Sequence, residues 1–564
     1  MTPRNNLPPR WAERFLVWYC RPELLEEIQG DIYELFDKRV LELGVERAKR
    51  RFIWDVFRSF RLSTVKQVRT NPSPMLLRNN FKIAWRQLLK QRLFGVIKIG
   101  GFALGVAACL LISLYILDET SYDQHYPNKE NIYRLIGVDK EKGDADRRGY
   151  FPAPMARVLE EDYPEVRKAG RFLSIPLFGA RSTEVRREDN QQNTHEDGFM
   201  YADQKLLEIF RPHMHYGDLK TALSKPNTLV LSKSKADYYF PNEDPVGKVM
   251  ILNDEVDRPY TVGGVMEDFP QNSHLREFHF LRTLTEVEFW PNEQNFWRAY
   301  NYHTYLELAP GADIAALEDK FMEVMENYLV PDLVEAGNVD AHLILENGGF
   351  QLQPISDIHL TSDGVHDQLE YGDIRFVWLF GGVALFILII AAINFINLST
   401  ARSANRAKEV GLRKVVGSER SNLVIQFLTE SILFSSISFL LGTLLAFIML
   451  SYFNALAGKA LVIPWLNPIF IILLLGSALV VGIFAGVYPA IYLSGFKPIN
   501  VLKGAISQGS KNARMQSGLV VFQFTTSIIL IIGTAVIHRQ MQYMLNKKLG
   551  FDKEQVVLLK GAHV

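Results

Sequence analysis

The chain has 564 residues, with 62 Lys and Arg against 62 Asp and Glu, and 48% of its residues are hydrophobic. A net charge of zero excludes a wholesale nucleic-acid binder, which needs a basic footprint. Two cysteines, Cys20 and Cys109, exclude a disulfide framework and a Cys-rich zinc module.

Residues 1–70 read as a small helical cytoplasmic module. Pro22 sits where a helix starts, and Leu24, Leu25, Ile28, Ile32, Leu35 and Phe36 recur at helical spacing, with Glu26, Glu27, Asp31 and Glu34 on the other face. A second, basic helix is expected over Arg47–Arg69, with Phe52, Ile53, Val56, Phe57 and Phe60 on one side. A solvated or lipid-facing role for it is favoured over nucleic-acid contact at Lys49-Arg50-Arg51. The linker Asn71-Pro72-Ser73-Pro74 ends the module. Asn79–Gln91 is amphipathic through Phe81, Ala84, Trp85, Leu88 and Leu89, and is expected to lie in the membrane interface (residues 76–117 with the first span).

Five charge-free apolar runs follow: Ile99–Leu117, Phe376–Leu398, Ser431–Gly458, Ala460–Phe496 and Met515–Ile537, the membrane part of the fourth lying near Pro468–Ser494. Phe376–Leu398 alone holds 15 Phe, Val, Leu or Ile residues. At roughly −0.3 to −0.6 kcal/mol each they contribute about −4.5 to −9 kcal/mol toward insertion. Lys and Arg cluster before the first span (Arg78, Lys82, Arg86, Lys90, Arg92, Lys98), between the second and third (Arg402, Arg406, Lys408, Arg413, Lys414, Arg420) and after the fourth (Lys497, Lys503, Lys511, Arg514). Alternating spans put all three clusters on one side, which predicts a cytoplasmic N-terminus. The first 75 residues are charged throughout and lack an apolar signal-peptide core, so the first span is expected to act as an uncleaved anchor.

The expected division is therefore a prefix module (1–70), an external α+β domain (118–375), a second span (376–401) and a cytoplasmic loop (402–420). The third and fourth spans (421–496), a cytoplasmic connection (497–514), a fifth span (515–537) and the start of a second external region (538–564) complete it. In the external domain, Thr228–Leu231, Val249–Leu252 and Tyr260–Val265 read as strands, and Met155–Glu161 and Ala315–Leu329 as helices.

These residues resemble the permeases of MacB/FtsX-type ABC transporters, in the form that carries an N-terminal prefix module. The matching pieces begin with Asn80–Lys90, Gly100–Tyr115, Glu119-Thr-Ser-Tyr-Asp123 and Ile132-Tyr-Arg134. They continue through Asp244-Pro-Val-Gly-Lys248, Val262-Gly-Gly-Val265, Pro270-Gln-Asn-Ser-His274 and Asp357-Ile-His-Leu360. Asn394–Arg402 with Arg406–Gly417 and Glu430-Ser431 is the strongest signature, and Tyr488-Pro-Ala490 with Leu493–Pro498 and Leu502-Lys-Gly504 adds a second. The resemblance implies an α-helical integral membrane protein of the bacterial inner membrane, homodimeric, with ATP and Mg²⁺ bound by a separate ATPase subunit. A periplasmic adaptor or outer-membrane partner is a further implied contact. The chain has no G-x-x-x-x-G-K-[ST] phosphate cradle, in keeping with that division of labour. It further implies mechanotransmission for efflux of an amphiphile, peptide or drug, for lipoprotein release, or for control of a cell-wall hydrolase. Longer members have eight spans and two external domains. Arg539–Val564 looks like the start of the second, which leaves a shortened or an unusual form as alternatives.

The coupling element is expected at Glu409, Val410, Gly411, Leu412, Arg413, Lys414, Val415, Val416 and Gly417. Leu412, Val415 and Val416 offer an apolar docking face and Arg413 and Lys414 charge pairing. Gly417 is placed to end the helix left-handed and Ser418 to cap the next. The bland alternative is that these basic residues only obey the positive-inside bias. Asn394 and Asn397 share a helix face, and Gly100, Gly101 and Gly105 permit close helix approach; packing is expected of both groups. His213-Met-His215 offers two metal ligands with no third placed by spacing, and His195-Glu-Asp and Asp363–Asp367 are no stronger, so no metal site is expected. No catalytic constellation is visible. The competing function class is a membrane-anchored receptor or scaffold with an external sensing domain.

Overall fold

The computed structural model describes residues 8–20, 22–59, 80–86, 88, 92–139, 143–178, 181–338, 341–401, 403–495 and 510–547. The Asn71–Pro74 linker, most of the Lys497–Arg514 connection and the end of the expected second external region (548–564) lie outside them. The chain divides into two compact units. One comprises Met1–Phe102, Ala392–Leu440 and Ile469–Leu519, the other Ala103–Ala391, Leu441–Pro468 and Val520–Val564.

Within the first unit, the described residues of the prefix module form three helices: Arg10–Tyr19, Pro22–Leu43 and Val45–Arg58. The first of these was not legible in the sequence. Gly44, at φ +81°, makes the break between the second and third. Ala12, Leu16, Cys20, Ile32, Phe36, Ala48, Phe52 and Val56 form one core, closed by the Tyr19 hydroxyl donating to the Val56 carbonyl at 2.9 Å. Phe57, expected on the apolar face, is instead exposed, as is Leu35. The basic helix ends at Arg58, and residues 60–69 lie outside the described residues.

Among the described residues, five helices are long and apolar enough to cross a membrane: Leu93–Thr120, Ile374–Thr400, Arg420–Ala457, Pro468–Ser494 and Ser517–Asn546. They match the five apolar runs: the first and second extend past them at both ends, the third at its start and the fifth at its end, and the fourth coincides with the expected Pro468–Ser494. The third begins eleven residues before Ser431, so Glu430 lies inside the helix rather than ahead of it. Small residues set the close approaches. A Cβ on Gly101 would stand 3.3 Å from Asn394 Nδ2, and one on Gly105 2.7 Å from the Ala391 Cβ, whereas Gly100 has nothing within 4 Å and takes no part. In the fourth span Ala478, Gly482, Gly486 and Ala490 recur every four residues and are buried. Cβ atoms on Gly482 and Gly486 would come within 3.0 Å of Ile432 and 2.6 Å of Ser431. Ser435 Oγ donates to the Ala478 carbonyl at 2.8 Å across the same seam. This is small-residue packing of the kind that joins helices in lipid.

The external part of the second unit is built on thirteen strands: Ile132–Asp139 (β1), Gly143–Arg148 (β2), Val166–Leu173 (β3), Arg181–Arg187 (β4), Thr194–Ala202 (β5), Met214–Gly217 (β6), Thr228–Ser232 (β7), Val249–Leu252 (β8), Tyr260–Met266 (β9), Phe280–Thr283 (β10), His303–Leu308 (β11), Gly348–Pro354 (β12) and Val365–His366 (β13). The order runs β10-β7-β9-β8-β4-β5-β3-β11-β1-β2-β13, with β12 on β1 and β6 on β9. A further parallel pairing of β10 with β5 closes the first six strands into a ring. Val185, Phe199, Leu229, Leu231, Met250, Leu252, Val262, Val265 and Phe280 fill it. Val230, on the opposite face of β7, joins a second core with Phe172, Met200, Leu281 and Tyr305. Burial on both faces explains why β7 reads as an unbroken apolar run rather than an alternating one. The helical stretch expected over Ala315–Leu329 is interrupted: Ile314–Lys320 and Met322–Val324 lead into a π-helical turn, Met325–Leu329, then Val330–Glu335.

A buried ion pair and a buried histidine lie in the rest of the sheet. Arg134 bonds Asp367 Oδ2 at 3.1 Å and Gln353 Oε1 at 2.7 Å, with both side chains of the ion pair fully buried. His303 is buried between the rings of Phe172 and Tyr150, at 4.4 and 4.6 Å. Burial, then the charge of Arg134, push its pKa well below the ordinary value. The unfolded chain takes up a proton at His303 near pH ~6.5 and the folded chain does not, so stability falls as pH drops below that value. Thermal unfolding of the detergent-solubilised chain should therefore show a lower midpoint at pH 5.5 than at pH 7.5, and His303→Gln should reduce that difference; an unchanged difference in the variant would exclude His303 as its source.

Candidate coupling site

Within the first unit, Ser403–Val415 forms a helix that runs almost into the third span at Arg420. Its end is a Schellman closure. The Ser418 N–H donates to the Arg413 carbonyl at 2.9 Å, the Gly417 N–H to Lys414 at 3.1 Å, and Gly417 stands at φ +99°. Gly417 thus ends the helix as expected. Ser418 does not cap the next helix: its N–H closes the preceding one, and the third span starts beyond Glu419.

One face of this helix is sunk in the protein. Val410 packs with Leu423, Phe427, Ala490 and Leu493, and Gly411 is buried beside it. Polar contacts fix the flanks. Arg406 makes two bonds to Glu430, Nη1 to Oε2 at 2.8 Å and Nη2 to Oε1 at 2.5 Å, and its guanidinium stands 5.7 Å from the Phe427 ring. Arg413 pairs with Glu409 at 2.7 Å and bonds the Gln426 amide oxygen. Lys414 Nζ donates to the Ser494 carbonyl at 2.7 Å. Arg413 and Lys414 are therefore spent inside the chain rather than presented for charge pairing, because partners in the third and fourth spans lie within reach.

The opposite face is bare. Leu412, Val415 and Val416 are 63%, 61% and 81% exposed, with Lys408 and Glu419 exposed near them. Three large apolar side chains at a polar helix end form a compact exposed knob beside a helix braced against two spans. Sequence reasoning missed the braces. Glu430 stood at the edge of an apolar run, and Lys98, whose Nζ lies 3.8 Å from the Phe395 ring centre and 4.1 Å from that of Phe434, read as one more basic residue before a span.

The second unit holds another cluster, where the first span leaves its helix. Lys459 Nζ contacts Asp118 at 2.9 Å, Glu119 at 2.8 Å and the Tyr122 hydroxyl at 3.0 Å. Burial alone would lower its pKa, but these hydrogen bonds and the Glu119 charge hold it above the ordinary lysine value. Glu119 Oε2 lies 2.7 Å from His359 Nε2, and the His359 and Tyr122 rings stack at 3.4 Å. Asn272 Nδ2 donates to the Ser121 carbonyl at 3.1 Å, and Asp123 meets His274 Nδ1 at 2.9 Å with both side chains fully buried. Three scattered motifs, 119–123, 270–274 and 357–360, thus converge on one joint. It borders a polar cleft of about 710 Å³ lined in part by Tyr115, Arg276, Glu370 and Lys459. Of the acidic Asp363–Asp367 stretch, Asp363 pairs with Arg375 at 2.6 Å and Asp367 with Arg134, so it forms no ligand cluster.

Two family models match the chain: the MacB-like periplasmic core domain over residues 96–324, and the FtsX-like permease C-terminal domain over residues 381–498. The ABC transporter permease YvrN of Bacillus subtilis is 21% identical over 436 residues, 75% of this chain and 99% of YvrN. The macrolide export ATP-binding/permease protein MacB of Bdellovibrio bacteriovorus is 28% identical over 212 residues, 37% of this chain and 29% of that MacB. Among solved structures, a permease domain from Porphyromonas gingivalis is 22% identical at a TM-score of 0.33, covering 41% of this chain and 92% of that domain. The periplasmic region of MacB from Actinobacillus actinomycetemcomitans is 13% identical at a TM-score of 0.27, covering 40% and 90%. With a MacB-like core domain match that starts within the first of the five apolar helices found among the described residues, and an FtsX-like match that runs from the second to the fourth, the chain is an ABC transporter permease of the MacB/FtsX type.

Proposed function

We propose that this permease couples ATP hydrolysis in a separate ATPase subunit to movement of its external domain, and that the ATPase seats on the Leu412–Val416 knob. The observation that carries this reading is the asymmetry of the Ser403–Val415 helix: bare and apolar outside, braced to the third and fourth spans by Val410, Arg406–Glu430, Arg413 and Lys414 inside. A short stiff element with that division passes a push into the spans as a rigid-body motion. A receptor or scaffold needs no such lever between spans.

The basic clusters before the first span, between the second and third and after the fourth support a bacterial inner-membrane placement with the N-terminus and the knob in the cytoplasm. The prefix module is compatible with it: its third helix exposes Arg47, Arg50, Arg51, Trp54, Phe57 and Arg58, a basic and aromatic face suited to anionic headgroups. Only 6% of the fifth span's apolar window is covered within the chain, which leaves a surface for lipid or for the second permease of a homodimer. The work performed is efflux of an amphiphile, peptide or drug, or release of a lipoprotein, with an adaptor or outer-membrane protein as a further partner.

Leu412→Asp combined with Val415→Asp should leave the chain inserted and folded, because both side chains are exposed. It should abolish co-purification with the ATPase, since a central apolar anchor is worth about 2 kcal/mol or more; retained association would overturn the docking assignment. Glu430→Gln leaves Arg406 without its counter-charge and should cost about 3–5 kcal/mol, read as a lower unfolding midpoint in detergent. The ATPase should remain associated while its turnover no longer responds to the permease. A midpoint equal to that of the unsubstituted chain would show that the pair is not a brace.

A further inference from the structure

The sequence places two histidines at His213 and His215 and no third ligand near them. The fold supplies one. β6 pairs antiparallel with β9, Met214 opposite Met266 and Tyr216 opposite Val265, so that His215 is the extra residue of a β-bulge. Glu267, immediately after β9, donates its N–H to the His213 carbonyl at 2.8 Å. This backbone bond brings the 213 and 267 positions side by side, and the bulge swings His215 toward the same carboxylate. His215 Nε2 is in contact with Glu267 Oε2, and the two imidazole rings lie 5.0 Å apart, edge to face.

Met214 keeps this arrangement in place. Its side chain packs on the core around Phe210 and Met266, in space left by Gly264, where a Cβ would stand 2.6 Å from Met214 Cε. With Met214 turned inward, the residues on either side of it face out by the two-residue period of a strand. One donor atom from each of His213, His215 and Glu267 lies within 4.8 Å of the others, and all three side chains are exposed. Ligands ~2.0–2.1 Å from a tetrahedral zinc lie ~3.4 Å apart. Rotation about exposed side-chain bonds closes that gap without moving either strand. Lys233, a nearby cation, is held by Asp237.

We propose that His213, His215 and Glu267 form a binding site for a divalent transition metal, zinc by preference, with coordination positions left open to water or to an incoming ligand. Two imidazoles and one carboxylate are a donor set for zinc, nickel or copper, and a poor one for calcium or magnesium, which take oxygen ligands. The bound metal ties edge strand β6 to the end of β9. This site is independent of the ATPase-coupling reading and of the direction in which the permease works.

The test is calorimetric titration of ZnCl₂ into the full-length chain in detergent, with any purification tag removed. One zinc per chain is expected. His213→Ala and His215→Ala should each weaken binding by more than about tenfold, and Glu267→Gln should weaken it measurably, while His195→Ala leaves it unchanged. No binding, or equal binding by both histidine variants and the unsubstituted chain, overturns the proposal. Should a variant fold poorly, Cu²⁺ electron paramagnetic resonance on the unsubstituted chain decides: nitrogen couplings from two imidazoles support the site, and their absence overturns it.

Discussion

A charge at the end of a membrane span must be either drawn out to water or matched where it stands, because an unmatched one costs several kcal/mol in low dielectric. Glu430 lies ten residues inside the helix Arg420–Ala457 and is buried. Its match is Arg406, supplied by the preceding helix through two bonds at 2.8 and 2.5 Å. That requirement sets where the Ser403–Val415 helix sits. Once Arg406 is committed to Glu430, Val410 falls over Leu423 and Phe427, and Arg413 comes within reach of Gln426. Lys414 is likewise delivered to the last carbonyls of the fourth span. Lysine or arginine at a helix C-terminus is favourable there because those carbonyls have no helical partner. The fourth span approaches closely enough for this because Gly482 and Gly486 carry no side chain where the third span crosses. Ion pair, apolar cluster and glycine seam thus select one and the same placement of the helix, and what is left over on its far side is Leu412, Val415 and Val416.

Much of this was legible in the sequence, and the parts that were not share a cause. Helix-ending by Gly417 is a local property of backbone conformation, so the residue type alone announced it. The strands Thr228–Ser232, Val249–Leu252 and Tyr260–Met266 were likewise visible within a residue, from short apolar runs between turns. Arg413 and Lys414 were misread because an exposed cation and one bonded to a distant carbonyl look the same in a sequence; only the fold says which partners are near. Glu430 ends an uncharged run, and a run of apolar residues in a sequence stops at a carboxylate whether or not the fold neutralises it. The four-residue repeat Ala478, Gly482, Gly486, Ala490 lay in plain view, but hydropathy does not distinguish a packing face from a lipid face. Likewise Glu267 completes a ligand set with His213 and His215 from 52 positions beyond His215, a distance that no spacing rule spans.

The ring of six strands shows the same limit at the level of topology. Its closing pairing, β10 with β5, is parallel and joins Phe280 to Phe199, whose rings stack at 4.2 Å. Parallel pairing of distant strands leaves no turn signal. What the sequence did carry was the consequence: β7, buried on both sides by ring and flanking core, has no polar position at which to alternate.

The joint at the exit of the first span explains why the family motifs of the external domain are weak singly and persuasive in order. Asp123 accepts bonds from the Ser273 hydroxyl and the His274 N–H, and Ser121 meets Asn272, while Glu119 meets His359 and Lys459 together. Each motif is half of a contact whose other half lies more than a hundred residues away, so none can be recognised by its own spacing. Their physical unity also makes the joint stiff. Displacing Asp118 and Glu119 alone would strip Lys459 of two carboxylates and leave buried charge unmatched, at a cost several times that of an exposed pair. The first-span exit, the Lys459 loop and the base of the external domain therefore move most cheaply as one body. That is the property an external domain needs if it is to be driven from its root rather than pulled by a flexible tether.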